Sequence, residues 1–227
     1  MRAPNPSPMT LDGTNTYIVA GWVIDPGPDD DAHLRAVIDA AGGQPAGIVL
    51  THDHHDHAAG AAHLAQMAGG VAVRHPGAGD DAGPFEVVPS PGHSSDSVCL
   101  VHERVCFSGD TLLGAGSVFV PAGGGGMAAY LAALERLLAL ELDAVCPGHG
   151  PVVWDPHARI SHYIGHRLER ERKVLDAIAA GAGSNDEILE RAWDDAPIAA
   201  VPLLRAAAAA TLEAHLEKLR DEGRLPG

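Results

Sequence analysis

The stretch Gly47-Ile48-Val49-Leu50-Thr51-His52-Asp53-His54-His55-Asp56-His57 runs from a short apolar segment straight into a cluster of metal-ligand residue types. His52, His54, Asp56 and His57 stand in an H-x-H-x-D-H pattern. The following Ala58–Met67 segment reads as a helix, so the motif is expected on a loop joining a buried strand to a helix. Strand ends and loops can aim several side chains at one point, which suits a site. Neutral imidazole and carboxylate are good ligands for zinc and other borderline divalent ions. Four such groups so close together cannot all serve one tetrahedral ion and leave a position open, so a site shared by two ions is the natural reading. With 14 histidines in the chain, a histidine-rich solvated loop is the bland alternative.

Further ligand types recur downstream and argue against that alternative. They are His93 in Ser90-Pro91-Gly92-His93-Ser94, Asp110 in Phe107-Ser108-Gly109-Asp110-Thr111, and His149 in Cys146-Pro147-Gly148-His149-Gly150. Each follows an apolar, strand-like run and sits in a glycine-containing turn. The series H-x-H-x-D-H, P-G-H, S-G-D and P-G-H-G resembles the metallo-β-lactamase superfamily over roughly the first two-thirds of the chain.

The resemblance implies a fold and a ligand set. The fold is a four-layer αββα sandwich, an α/β architecture with the metals at one edge between two sheets. His52, His54 and His93 would hold a first metal, Asp56, His57 and His149 a second, and Asp110 would bridge them. Two divalent metal ions about 3.5–4 Å apart can share a hydroxide and polarise the group it attacks. Hydrolysis is the implied reaction, with Asp56 and Asp110 as the catalytic carboxylates. Zinc is the expected ion, with manganese and iron as alternatives. A flavo-diiron protein would carry Glu at the position of His54, and a single-iron persulfide dioxygenase would not need the second set. Ser94, Ser95 and Ser108 are read as turn or supporting residues, because no covalent nucleophile is required.

A subgroup resemblance goes further. Gly13-Thr14-Asn15-Thr16-Tyr17 is similar to the opening of the β-lactamase-like protein 2 group, where this stretch enters the first strands near the active site. Asn15 and Thr16 are thus candidate substrate contacts, with a polar turn entering a hairpin as the alternative. The run Tyr163-Ile164-Gly165-His166-Arg167 resembles the first C-terminal helix of that group, which makes Tyr163 and His166 candidate substrate contacts too. The domains are expected at 1–158, the metallo-β-lactamase-like part, and 159–227, a helical winged-helix-like part.

Strands are expected at 16–20, 22–25, 48–50, 71–73, 85–88, 98–107 as a hairpin, and 143–146. Helices are expected at 31–41, 128–140, 160–180, 184–193 and 202–222. Ser184 with Glu187 three residues on reads as a helix start. Gly123-Gly124-Gly125-Gly126 is expected as a mobile loop at the rim of the site, since no Lys-Ser or Lys-Thr follows to make a phosphate loop. Cys99 and Cys106 lie on the two hairpin arms, in a register where they could face each other; two reduced core thiols are expected, with a disulfide as the alternative.

Composition limits the partners. The chain has 227 residues, 46% of them apolar, and a formal charge of −15. A long polyanion needs Lys and Arg, so that balance disfavours nucleic acid as the main partner without excluding a local basic track. Residues 159–227 carry ten Lys or Arg against twelve Asp or Glu. Their last helix is dominated by Ala206–Ala210, with few groups able to read bases. No apolar run is long enough to span a bilayer. The N-terminus lacks a signal-peptide stretch, so the cytoplasm is the expected compartment. The favoured substrate is a small-molecule ester, thioester or lactone. The alternative is single-stranded RNA cut by an endoribonuclease of the β-lactamase-like protein 2 type. A nucleic-acid-binding regulator acting through the C-terminal helices is the third reading, against which the complete metal set speaks.

Overall fold

Alternation of apolar side chains along short strands builds the first half of the protein. In the computed structural model, which describes residues 1–123 and 126–225, β1 (Tyr17–Val19) and β2 (Trp22–Ile24) form a hairpin. β3 (Gly47–Val49) and β4 (Val73–Arg74) then add in parallel, giving a mixed sheet of order β1-β2-β3-β4. β5 (Glu86–Pro89), β6 (Val98–His102), β7 (Val105–Gly109) and β8 (Ala144–Pro147) form a second four-stranded sheet in sequence order. Its last pair is parallel and the others antiparallel.

Successive side chains on a strand point to opposite faces. Val23 and Ile48 therefore join one core with Leu34, Val37 and Leu64, residues of α1 (Asp31–Ala40) and α3 (Ala61–Met67). Their neighbours Ile24 and Val49 join a second core with Val98, Leu100 and Phe107 of the other sheet. The result is helix, sheet, sheet. Asp30 caps α1 by accepting a bond from the His33 amide at 2.8 Å. Asp30 and Asp31 thus serve the helix start, while Asp29 pairs with His63 at 2.7 Å.

Contacts divide the chain into two compact units. The first comprises Met1–Ser90, Asp96–Gly116 and Glu141–Pro156; the second comprises Pro91–Ser95, Ser117–Leu140 and His157–Gly227. Residues 117–140 group with the C-terminal helices because α4 (Gly126–Leu138) packs on α7 (Pro202–Asp221). The helix expected at 128–140 therefore belongs to the second unit.

That second unit is helical. α5 (Pro156–Ala179), α6 (Asn185–Ala192) and α7 enclose Val174, Leu189, Trp193, Leu212 and Leu216. Ser184 accepts from the Glu187 amide at 3.3 Å, while the Glu187 carboxylate accepts from the Gly183 amide at 2.8 Å. The start of α6 is thus capped from both sides, with the carboxylate reaching one residue further back than a capping box would. No strand follows α5 among the described residues, so the wing of a winged helix is not formed there. Gly124 and Gly125, central to the expected rim loop, lie outside the described residues.

Two expectations need correction. The metal motif does not stay a loop: Asp56 and His57 stand on a one-turn helix, α2 (His55–Ala58), begun when the His57 and Ala58 amides donate to the His54 carbonyl at 2.9 Å. The cysteines share a face of the hairpin and their thiols are hydrogen-bonded, but they are not directly opposite. Val101 stands opposite Cys106, so Cys99 lies two residues out of register with it. Both are buried free thiols, and Cys99 donates weakly to the Ser90 hydroxyl at 3.4 Å.

Candidate metal centre

Parallel pairing of β2 with β3 puts two chain exits side by side. Ile24 is level with Val49, so Asp25 leaves the sheet beside Leu50 and the metal loop. The buried Asp25 carboxylate organises that loop. Its Oδ1 accepts from the Thr51 amide at 2.8 Å, and its Oδ2 accepts from the Thr51 hydroxyl at 2.7 Å and from His57 Nδ1 at 2.9 Å. Since Thr51 Oγ1 donates to Asp25, it accepts from His52 Nδ1 at 3.1 Å. One carboxylate thereby fixes the protonated nitrogen on two histidines and leaves both Nε2 lone pairs for a ligand role.

Those lone pairs enter a tight cluster. His57 Nε2 lies 3.3 Å from His149 Nε2, 3.4 Å from Asp110 Oδ1 and 3.6 Å from Asp56 Oδ2. His149 Nε2 lies 3.1 Å from Asp56 Oδ2 and 3.4 Å from Asp110 Oδ2. His52 Nε2 approaches His54 Nδ1 at 3.1 Å, and the His52 and His57 rings are 4.3 Å apart at their centroids. Ligand atoms of His52, His57 and Asp110 lie within 4.8 Å of one another, as do those of Asp56, His57 and His149. Six of the seven ligands expected from the sequence are thus brought together in the first unit.

The seventh, His93, is carried on the Pro91–Ser95 turn, in the second unit. Its Nδ1 donates to the Phe119 carbonyl at 3.1 Å, which leaves Nε2 as its ligand atom. Its membership of the ligand set rests on the sequence resemblance.

Electrostatics fit a cation. Burial pushes the His57 imidazole down, but the Asp110 and Asp25 carboxylates outweigh it and hold the ring well above its usual range. For His149 burial acts downward too, and hydrogen bonds to Asp110 and Asp56 lift it to about 9. Burial raises Asp56, yet the His149 hydrogen bond and the His57 charge bring it to about 2. Asp110, likewise raised by burial, is pulled well below the carboxylate range by His57 and His149. The carboxylates are therefore ionised and draw positive charge onto imidazoles whose nitrogens face each other. A divalent cation takes the place of those protons without the repulsion between them. The residues present fit such an ion.

The candidate substrate contacts are placed differently from expectation. Thr16 is fully buried and its hydroxyl is bonded to His33 Nε2 at 3.1 Å, so it belongs to the scaffold. Tyr163 is also buried, with the Arg159 guanidinium 4.9 Å from its ring centre, and presents no open face to a substrate. Asn15 donates from its amide to the Pro147 and Gly150 carbonyls at 3.1 and 2.8 Å. His166 is half-buried beside Glu169, Arg170, Lys173 and Asp195 in the second unit; burial, then Arg167 and Arg170, push its imidazole down to about 4.

Sequence reasoning missed Asp25 and Thr51. Asp25-Pro26-Gly27 reads as a turn. The available signal was an acid closing the strand that precedes the metal-loop strand.

Residues 9–85 and 76–149 match the family model described as the metallo-β-lactamase superfamily. The chain belongs to the metallo-β-lactamase superfamily. Within it, the chain is 30% identical to the β-lactamase-like protein 2 homolog of Drosophila melanogaster, covering 97% of this chain and 87% of that one. It is a hydrolase of this superfamily and of that subgroup. It is 28% identical to an atrochrysone carboxyl ACP thioesterase of Aspergillus fumigatus, over 85% of this chain and 72% of that one. A solved structure described as TTHA1623 in a di-iron-bound form is 30% identical with a TM-score of 0.56, over 70% of this chain and 98% of that one. No helix of the described residues is long and apolar enough to cross a membrane.

Proposed function

We propose that this metallo-β-lactamase superfamily hydrolase holds two divalent ions and cleaves a small-molecule ester, thioester or lactone. The observation that carries the reading is the convergence of His57 Nε2, His149 Nε2 and the Asp56 and Asp110 carboxylates within 3.1–3.6 Å. His52, His54 and His93 would hold one ion, Asp56, His57 and His149 the other, and Asp110 would serve both. Bound there, the ions supply Lewis acidity, which polarises a carbonyl and makes water a nucleophile at neutral pH. Zinc suits the donors, and iron is supported by the di-iron form of the relative.

The chain's own residues do the rest. Asp25 keeps the proton on His57 Nδ1, so that Nε2 stays aimed at the cluster. Asp56 has a side chain 30% exposed, whereas those of His57 and His149 are at most 1% exposed. Its ionised carboxylate is partly open to solvent and is placed to orient water.

Thioesters are the favoured class because a thioesterase is among the relatives. The chain's surplus of 30 Asp or Glu over 15 Lys or Arg disfavours RNA. Subgroup membership keeps single-stranded RNA as the second reading. The test is a panel of acyl-pantetheine thioesters, aryl esters and lactones run beside a labelled single-stranded RNA. An Asp56→Ala/His57→Ala variant serves as the contamination control. Thioester or ester turnover lost in the variant is expected. RNA cleavage lost in the variant, with no turnover of the small substrates, would replace this reading with the nuclease.

A further inference from the structure

The turn that delivers His149 is held from outside itself. All four of its carbonyls accept a hydrogen bond from another part of the first unit. Pro147 O accepts from Asn15 Nδ2 at 3.1 Å and from the Tyr17 hydroxyl at 2.8 Å. Gly148 O accepts from the Asn15 amide at 2.7 Å, and His149 O from the Gly114 amide at 2.9 Å. Gly150 O accepts from Asn15 Nδ2 at 2.8 Å. Residue 15 alone thus engages three of the four carbonyls and uses both hydrogens of its side-chain amide. The imidazole is fixed from the same segment, since His149 Nδ1 lies 3.5 Å from the Gly13 carbonyl.

The turn has no slack. A Cβ on Gly148 would stand 2.5 Å from His57 Cε1 and 2.7 Å from Asp110 Oδ1. The backbone at 148 therefore runs in contact with two other ligands, His57 and Asp110.

We propose that Asn15 is a positioning residue that clips the Pro147–Gly150 turn and thereby places His149 in the metal centre. This role differs from substrate contact and rests on the metal-centre reading above. Groups that orient a ligand change metal affinity about 10–100-fold when removed. A substrate contact would leave metal affinity alone.

The experiment is a competition titration with Zn2+ and a chromophoric chelator, without substrate, on the full chain. Asn15→Ala is expected to lose about 10–100-fold in affinity for one ion. Asn5→Ala is the matched control. Asn5 bonds the Thr14 amide and hydroxyl at 2.9 Å, so its removal loosens the same N-terminal segment without touching the turn. Because Thr14 is bridged to His149, the zinc affinity of Asn5→Ala is expected to fall by less than that of Asn15→Ala. Equal affinity in Asn15→Ala, or an equal loss in Asn5→Ala, overturns the proposal. Should Asn15→Ala fail to fold, Asn15→Ser carries the test: its hydroxyl has a single hydrogen to give, and affinity within about twofold of the parent overturns the proposal. A parent chain that binds no zinc overturns the metal centre itself, an outcome distinct from a variant that binds as the parent does.

Discussion

Asp25 shows what a single carboxylate can set. Its two oxygens receive Thr51 and His57 directly and His52 through the Thr51 hydroxyl. Its backbone has φ +48°, in the left-handed region that Asn tolerates as well as Asp. Asp25→Asn therefore tests the charge and not the turn. Metal affinity is expected to fall about 10–100-fold, measured by chelator competition. An unchanged affinity would make Asp25 a mere turn residue. Gly148 shows the opposite constraint, an absent side chain. Gly148→Ala forces the turn away from His57 and Asp110 and is expected to cost at least about tenfold in metal affinity. Wild-type metal binding in that variant would mean the turn has room that the contacts deny. The ligand residues themselves were legible in the sequence, because their types and order are chemical. The groups behind them were not, because a strand-ending aspartate becomes visible as a partner only once β2 and β3 are paired.

Elements were legible where periodicity runs long and less so at their ends. The leucines and valine of α1, α4 and α7 follow helical spacing, and those helices form within about two residues of expectation. The short helix α2 escaped because four residues carry no period, and its formation depends on bonds to the His54 carbonyl. Cysteine register escaped for a related reason, since a hairpin slip of two residues preserves the face, so Cys99 and Cys106 still meet, diagonally instead of directly opposite.

Gly165 lies inside α5 with nothing within 4 Å of an added Cβ. Gly165→Ala is expected to stabilise by about 0.5–1 kcal/mol in chemical denaturation. No gain would indicate that α5 is strained there.

His215 on α7 is fully buried, its two ring nitrogens lack hydrogen-bond partners, and Glu171 Oε2 is 4.0 Å from Nδ1. Burial, then Arg167, Lys218, Arg170 and His166, push it down to about 3. Below the unfolded value near 6.5 the unfolded chain takes a proton that the folded chain refuses. Stability from this group is therefore lost as pH falls from about 6.5 toward 3, by at most about 1.4 kcal/mol per pH unit. His215→Leu is expected to melt higher than the parent by a margin that widens between pH 7 and pH 4.5. A constant margin would show that His215 is not held neutral.

At the scale of the molecule, the chemistry lies where strand ends of both sheets meet. Asp25 and the metal loop follow β2 and β3, Asp110 follows β7, and His149 follows β8. Family resemblance, not periodicity, made the two-sheet architecture legible, because alternating strands and helices fit several layered folds. The grouping of 117–140 with the C-terminal helices could not be read, since it depends on which face of α4 meets α7. Chain composition bears on the substrate: a charge of −15 suits a centre that attracts cations and a small substrate better than an extended polyanion.

On the proposed function, one protein chain holds two divalent ions, both served by Asp110. Elemental analysis of the purified protein after loading and desalting, parent against Asp110→Ala, tests it most directly. Two ions per chain are expected in the parent, with the second ion and nearly all turnover lost in the variant. Two ions and retained turnover in Asp110→Ala, or no ion bound by the parent, would contradict it.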